Sequence, residues 1–263
     1  MTDFLGVVEK IYNVLSEDHV LANEFYQKWG VSLADFKRKI TDPLTHGGYV
    51  SKLKSIENLE IRKETSVLDI GPEMGLEVFM LAELTDKVTV CDPDVSNLKL
   101  ISDIARKYIK DGGVRKGVLI NFEPLGFGND VDSIARERTM YNDIVEKLGH
   151  SLPAFYNIAS ERNLNILKEE MFDLIFIHKI LTTITRSKAE KPFVVFCEAI
   201  EVIKKLLKVG GVCSWTEPEF VWEQKRVLNN LTKIKGVIVE KIEYHPKELP
   251  EKFVQLFIYK VHE

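Results

Sequence analysis

The sequence predicts an α/β fold: a doubly wound, mostly parallel sheet that ends in an antiparallel C-terminal strand pair. Three observations carry this. From Ser66 onward, short apolar runs suited to strands buried on both faces alternate with segments of helical periodicity. The first run, "SVLDIG", ends in a glycine-containing loop that leads directly into a helix. Two strand-like runs, "GVIVEKIEYH" and "KFVQLFIYKV", close the chain with little helix between them, which makes an antiparallel edge.

Residues 1–64 read as a helical cap. Phe4, Leu5, Val8, Ile11, Tyr12 and Leu15 fall on one helical face. Asp18 is placed to cap a second helix bearing Leu21, Phe25 and Trp29. Ser32 with Asp35 resembles a capping box ahead of Phe36 and Ile40, and Asp42-Pro43 stops that helix. A fourth short helix carries Tyr49, Val50, Leu53 and Ile56.

Residues 65–263 then form the sheet domain. After "SVLDIG" comes the helical "LEVFMLAEL", the buried strand "KVTVCD" and the helix "VSNLKLISDIARKYI". "FDLIFIHKI" is the strongest strand of the chain. Between Ala189 and Val209 a stripe of Phe193, Phe196, Cys197, Ile200, Ile203 and Leu207 predicts a helix, with Gly210 placed to end it and "GVCSW" as the next strand. The interval from Asp92 to Phe172 breaks this rhythm. "AFYNIAS" (Ala154 to Ser160) is favoured as the third strand, because "FDLIFI" follows it closely. Residues of about 111–153, including the helical "DVDSIARERTMYNDIVEKLG", are then an insertion. The opposite assignment, with "GVLINF" (Gly117 to Phe122) as the third strand, stays open.

Composition narrows the function. A chain of 263 residues that is 45% hydrophobic suits one large α/β domain with additions, or two small domains. A net charge of −4 makes no overall case for nucleic acid or an anionic membrane as partner. "MTDFLGVVEKIYNVL" has neither the basic start nor the cleavage site of a signal peptide. No apolar run approaches the ~18 residues of a membrane span. Cys91, Cys197 and Cys213 are scattered in apolar segments, which suits buried free thiols in a reducing compartment. The histidines show no H-x-x-x-H spacing, so no metal site is expected. A soluble, cytoplasmic protein without a membrane partner is the expectation.

The chemistry concentrates in "VLDIGPEMG", Val67 to Gly75. Ligands of open α/β sheets sit beyond the carboxyl ends of the strands. Gly71 permits the sharp turn and Gly75 close approach at the helix start. Asp69 lies near the end of the first strand, and Asp92, ending the second, is placed to take a ribose diol. Glu73 occupies the middle of the loop, where the dinucleotide fingerprint has a glycine that lets backbone touch pyrophosphate. A carboxylate there repels pyrophosphate, and the phosphate loop G-x-x-x-x-G-K-[ST] is absent. A ligand with ribose, positive charge and no phosphate fits better, and S-adenosylmethionine (SAM) is such a molecule.

"VLDIGPEMG", "VTVCDPD", "FDLIFIHKIL" and "LLKVGGVCSWTEP", in that order, resemble the successive motifs of class I SAM-dependent methyltransferases. The resemblance covers about Ser66 to the C-terminus, apart from the insertion, and implies a seven-stranded Rossmann-like sheet. It also implies SAM as cofactor. The methionine end would lie against Asp69, Gly71, Pro72, Glu73 and Gly75, and the ribose against Asp92. Pro93 and Asp94 would border the adenine. "ASERNL" resembles the family's G-D-A-x-x-L, which puts Ser160 where an adenine-contacting Asp is common, with Glu161 beside it.

Each of these positions has a plainer role beside the implied one. Glu73 suits the first turn of a helix, where an acid gains roughly 0.3–1 kcal/mol. His178, with Lys179, ends the fourth strand and is a candidate cofactor contact and general base, or a satisfied structural histidine. Glu217 reads as a solvated loop acid before a substrate contact. Tyr49, Phe127 and Trp215 read as core before pocket, His46 as a surface turn, and "RKYIKDGGVRK" as a solvated face.

The resemblance implies in-line transfer of the sulfonium methyl, for which positioning and exclusion of water suffice when the acceptor is a good nucleophile. The [N/D]-P-P-[Y/F] motif of nucleic-acid amino-methylating enzymes is absent, with "IHKI" in its place. The Lys-Asp-Lys-Glu set of ribose methyltransferases has no counterpart. A small-molecule or protein acceptor is expected, and nucleic acid is not. The rivals are a SAM-fold binding or regulatory module without catalysis, motivated by Glu73 and Ser160, and a nicotinamide-dependent oxidoreductase.

Overall fold

The computed structural model describes residues 4–41, 47–92, 94–110, 119–123, 125–126, 156–157, 171–181, 192–247 and 249–261. Four helices come first: α1 (Phe4–Glu17), α2 (His19–Trp29), α3 (Phe36–Thr41) and α4 (Gly47–Glu57). Asp18 starts α2 by accepting from the amides of Val20 and Leu21 at 3.0 Å each. Ser32 caps a short 3-10 turn, Leu33–Asp35, ahead of α3. The buried stripe of α1 is Val7, Val8, Ile11, Val14 and Leu15, while Leu5, expected on that face, is exposed.

Alternation then begins: β1 (Ser66–Ile70), α5 (Leu76–Leu84), β2 (Lys87–Cys91), α6 (Val95–Lys110), β3 (Leu119–Glu123), β4 (Phe172–His178), α7 (Pro192–Leu206), β5 (Leu207–Pro218), α8 (Glu219–Gln224), β6 (Val237–Tyr244) and β7 (Phe253–Lys260). The main sheet has seven strands in the order β3-β2-β1-β4-β5-β7-β6. β1 to β5 run parallel, and β7 is antiparallel to both of its neighbours. This is the sheet that the resemblance implies.

Two expectations need correction. The third strand lies in "GVLINF", not "AFYNIAS": β3 pairs with β2 in register from Lys87↔Leu119 to Cys91↔Glu123. Tyr156–Asn157 of "AFYNIAS" pairs with Leu125–Gly126 in a separate two-stranded sheet. The segment 111–153, read as an insertion, therefore contains a strand of the main sheet. The reason is the short return from α6 to the sheet edge beside β2, which outweighs the closeness of "AFYNIAS" to β4. Gly210 does not end the helix either. α7 stops at Leu206, and Gly210, at φ 76°, falls where the β4–β5 register shifts between Leu207 and Val212. The long helix expected after Asp130 lies outside the described residues.

α5 is buried on every side from Leu76 to Ala82, Glu77 included, as a helix apolar all round must be. It packs between the sheet and the N-terminal helices. Residues of α1 to α4 share one apolar cluster with β1, α5, β2 and α6, so the cap completes the core over this half of the sheet. A second cluster on the other face joins β4, β5 and β7 to α7 and α8 around Phe196, Trp215 and Trp222. Among the described residues no helix is long and apolar enough to cross a membrane.

Candidate functional site

β1 lies between β2 and β4, so the chain order reverses beside it, and the carboxyl ends of β1 and β4 flank the crevice where open α/β sheets take ligands. The loop leaving β1 is held tightly. The Gly71 amide donates to the Cys91 carbonyl at 2.8 Å, and the Gly75 amide to the Pro72 carbonyl at 2.7 Å. Gly71 and Gly75 have φ of 72° and 78°, and a Cβ on either would press on Ile180 or Ile101 at 2.8 Å. Backbone conformation and close packing thus account for both glycines. Glu73, at φ 47°, adopts a left-handed conformation that a non-glycine residue enters at a cost. Gly75 is the N-cap of α5, so Glu73 precedes the helix, and the first-turn acid is Glu77.

Two buried carboxyls end the adjacent strands. Asp69 is 1% exposed, and its Oδ2 has no hydrogen-bond partner among the described residues. Asp92 accepts from the Asp94 amide at 2.7 Å and from the Asn97 side-chain amide at 3.1 Å. The same Asn97 nitrogen donates to the Glu73 carbonyl at 2.8 Å, which locks the glycine loop to the end of β2. Asp94 is engaged elsewhere: its Oδ1 caps α6 through the Asn97 amide at 3.1 Å, and its other oxygen pairs with Lys28 of α2.

The cap supplies the counter-charge. Lys52 of α4 is 3% exposed and pairs with buried Glu77, and it lies 3.1 Å from Glu73. Burial by itself would lower the Lys52 pKa, but Glu73 and Glu77 more than offset it, and the ammonium stands above its ordinary value. Burial raises Glu77 to about 7 despite Lys52, and burial followed by the charge of Glu77 raises Asp69 well above the usual carboxylate range. Burial also raises Asp92 to about 6 against its hydrogen bonds from Asp94 and Asn97. For Glu73, Glu77 and Asp69 these directions agree: the Lys52 ammonium is shared among them, so the lysine keeps its proton while burial still raises Glu77 and Asp69.

At the end of β4, His178 is 1% exposed, its Nε2 lies 2.8 Å from the Ser51 hydroxyl, and its Nδ1 has no hydrogen-bond partner among the described residues. Burial, then the charges of Lys52 and Lys179, hold its pKa well below the usual histidine value, so the ring is neutral near pH 7. Lys179, at φ 57°, lays its ammonium 5.1 Å from the centre of the Phe253 ring. α4 is pinned over this end of the sheet by further polar contacts. The Ser55 hydroxyl lies 3.0 Å from Thr216 Oγ1 and 2.8 Å from Tyr244 Oη, and Gln255 Nε2 donates to the Ser55 carbonyl at 2.9 Å.

The site therefore gathers Asp69, Gly71, Pro72, Glu73, Gly75, Asp92 and His178 around α4. Pro93, Ser160, Glu161, His46 and Phe127 lie outside the described residues, and Tyr49 falls in α4. Trp215 is core, against Phe196 and Trp222. Lys52, Glu77 and Asn97 are absent from the sequence reading. Nothing in the local pattern of "SKLKSIE" or "LEVF" marks an inward lysine or a buried acid, because each is explained only by the other.

Glu217 corrects the reading of a solvated acid: it is 1% exposed and accepts from the Leu181 amide at 2.6 Å and the Trp215 indole at 3.0 Å. Burial raises it to about 7. The folded chain thus holds a proton that the unfolded chain releases from about pH 4.5 upward, and stability falls as pH rises through that window to about 7. Glu217→Gln should remove that part of the fall, on the order of 2 kcal/mol. Urea midpoints at about pH 5 and about pH 8 check this, and equal pH dependence in variant and wild type would refute it.

No protein-family model matches the chain, and no curated protein matches it. Solved structures are similar to it at low identity. The YcgJ protein from Bacillus subtilis is 12% identical with a TM-score of 0.49, over 82% of this chain and 100% of that one. The N-methyltransferase NodS from Bradyrhizobium japonicum WM9, in complex with S-adenosyl-L-homocysteine, is 14% identical with a TM-score of 0.48, over 91% and 98%. An rRNA methylase from Streptococcus thermophilus is 15% identical with a TM-score of 0.45, over 81% and 96%. With scores this low, the fold assignment rests on the strand order and register above.

Proposed function

We propose that this chain binds SAM over the loop from Gly71 to Gly75 and transfers its methyl group to a small-molecule or protein acceptor. The observation that carries the reading is Asp69 Oδ2, a buried carboxyl oxygen without a hydrogen-bond partner among the described residues, at the switch point of the sheet and beside further buried acids. A buried acceptor of this kind calls for a cationic donor. The donor set fits SAM. Asp69 accepts from the ligand's ammonium. Asp92, already oriented by Asp94 and Asn97, accepts from the ribose hydroxyls with its remaining lone pairs.

SAM, when bound, supplies a methyl group activated by its sulfonium. The chain's own part is to orient and to exclude water. α4 closes over the strand ends through Ser51, Lys52 and Ser55, and Ile180 packs on Gly71. His178, buried and neutral, positions Ser51. The buried carboxyls at the strand ends suit a cation and disfavour a pyrophosphate, so the nicotinamide reading is the weaker one.

Calorimetric titration with SAM, S-adenosylhomocysteine and NAD tests the assignment, and binding of NAD without SAM would sink it. Asp92→Ala should weaken SAM at least tenfold, about 1.4 kcal/mol; unchanged affinity would remove the ribose role. Methyl-labelled SAM incubated with small-molecule, protein and RNA fractions then identifies the acceptor. Label in the RNA would replace the proposed acceptor with a nucleic acid. Tight binding with label in no fraction would favour the non-catalytic module.

A further inference from the structure

Lys52 has no role in that reading beyond neutralising its neighbours, yet its surroundings are asymmetric. Its ammonium is buried between two carboxylates that differ in accessibility. The Glu77 side chain is 1% exposed and is fixed by the first turn of α5. The Glu73 side chain is 48% exposed and belongs to a loop residue in a left-handed conformation. One carboxylate is a fixed partner, and the other meets water, so a second carboxylate arriving from the crevice can take its place beside the buried ammonium.

We propose that Lys52 is the receptor for the carboxylate of the ligand's amino-acid end, and that Glu73 occupies that place until the ligand displaces it. The inference rests on the SAM reading and deepens it. An α-amino acid carries its ammonium and carboxylate on one carbon, so a single group can meet an acid and a lysine that lie close together. Asp69 and Lys52 border the same loop: Asp69 stands near the end of β1, and Lys52 lies 3.1 Å from Glu73, in the loop that leaves it. Asp69 Oδ2 has no hydrogen-bond partner among the described residues, and one of the two carboxylates on Lys52 is half-exposed. The incoming carboxylate replaces the carboxylate of Glu73, so the charge around Lys52 is conserved, and the ammonium supplies the positive charge that Asp69 lacks. This also accounts for a carboxylate in the middle of a glycine loop, since the side chain of Glu73 mimics the ligand's acid. Lys52 is then a specificity-determining residue, selecting ligands that retain the carboxylate.

The test compares SAM with decarboxylated SAM, which keeps the ammonium and the sulfonium. Wild type should prefer SAM by about 30-fold, the effect of one hydrogen bond to a charged group. In Lys52→Gln the preference should collapse below about threefold, and in Lys52→Arg it should persist. The ratio is taken within each variant, so a reduced folded fraction does not alter it. Glu73→Gln should bind SAM about three- to tenfold more tightly, because a competitor has been removed. A preference retained in Lys52→Gln, or weaker SAM binding by Glu73→Gln, would overturn the assignment while leaving SAM as the ligand. A wild type that binds neither molecule would overturn the SAM reading and this inference with it.

Discussion

Asp69→Asn should weaken SAM binding at least 100-fold, about 2.7 kcal/mol, and should make the ligand-free protein more stable at neutral pH. Both effects come from the same oxygen. In the free protein Asp69 is 1% exposed with Oδ2 unpartnered, and burial and the charge of Glu77 hold its pKa well above the usual range. The sign follows from proton counting. The folded chain keeps the Asp69 proton where the unfolded chain has lost it, so stability declines as pH rises above about 4 toward the raised value. An amide of the same size carries no charge to desolvate and removes the decline. It also removes the carboxyl that gives up its proton when the ligand's ammonium arrives beside it, so stability and binding move in opposite directions. Calorimetry gives the affinity, and urea midpoints at about pH 5 and about pH 8 give the stability. A variant that binds SAM as wild type does would remove the ammonium from Asp69.

Trp222→Ala should cost about 4 kcal/mol of stability with little direct effect on the ligand site. Trp222 is fully buried on α8, its ring centre 5.6 Å from that of Phe196 and 6.0 Å from that of Trp215. Its indole donates to the Val254 carbonyl of β7 at 3.0 Å. Truncation leaves a cavity under the antiparallel end of the sheet and removes the indole's hydrogen bond to that carbonyl, and the surrounding Phe196 and Trp215 are too rigid to fill the space. Net stabilities of about 5–15 kcal/mol make this a large loss, read as a fall in melting temperature of about 8–16 °C. Trp222→Phe should recover part of it. A loss below about 1 kcal/mol would mean that this cluster does not support the sheet.

Much of the candidate site's placement was legible because it is local. Asp69, the glycines and Asp92 stand at the ends of strands that announce themselves as apolar runs, and strand ends in an alternating α/β chain meet at one edge. The caps of α2 and α3 were legible for the same reason: Asp18 and Ser32 bond to amides two or three residues away. Position in sequence also misled. "AFYNIAS" stands closer to β4, yet β3 is drawn from the run that returns to the sheet edge soonest after α6.

The sequence by itself determined the alternation, the antiparallel strand pair that closes the chain, and the acids at the strand ends. Each follows from hydrophobic period or from turn chemistry within a few residues. Only the tertiary structure decided that Glu73 faces a lysine, that Glu77 and Glu217 are buried, and that α4 closes the site. Lys52 and Glu77 are 25 residues apart, and Ser51 and His178 are 127 apart. A buried charge is tolerable only beside its partner, and the partner arrives by folding, so no local pattern can announce it.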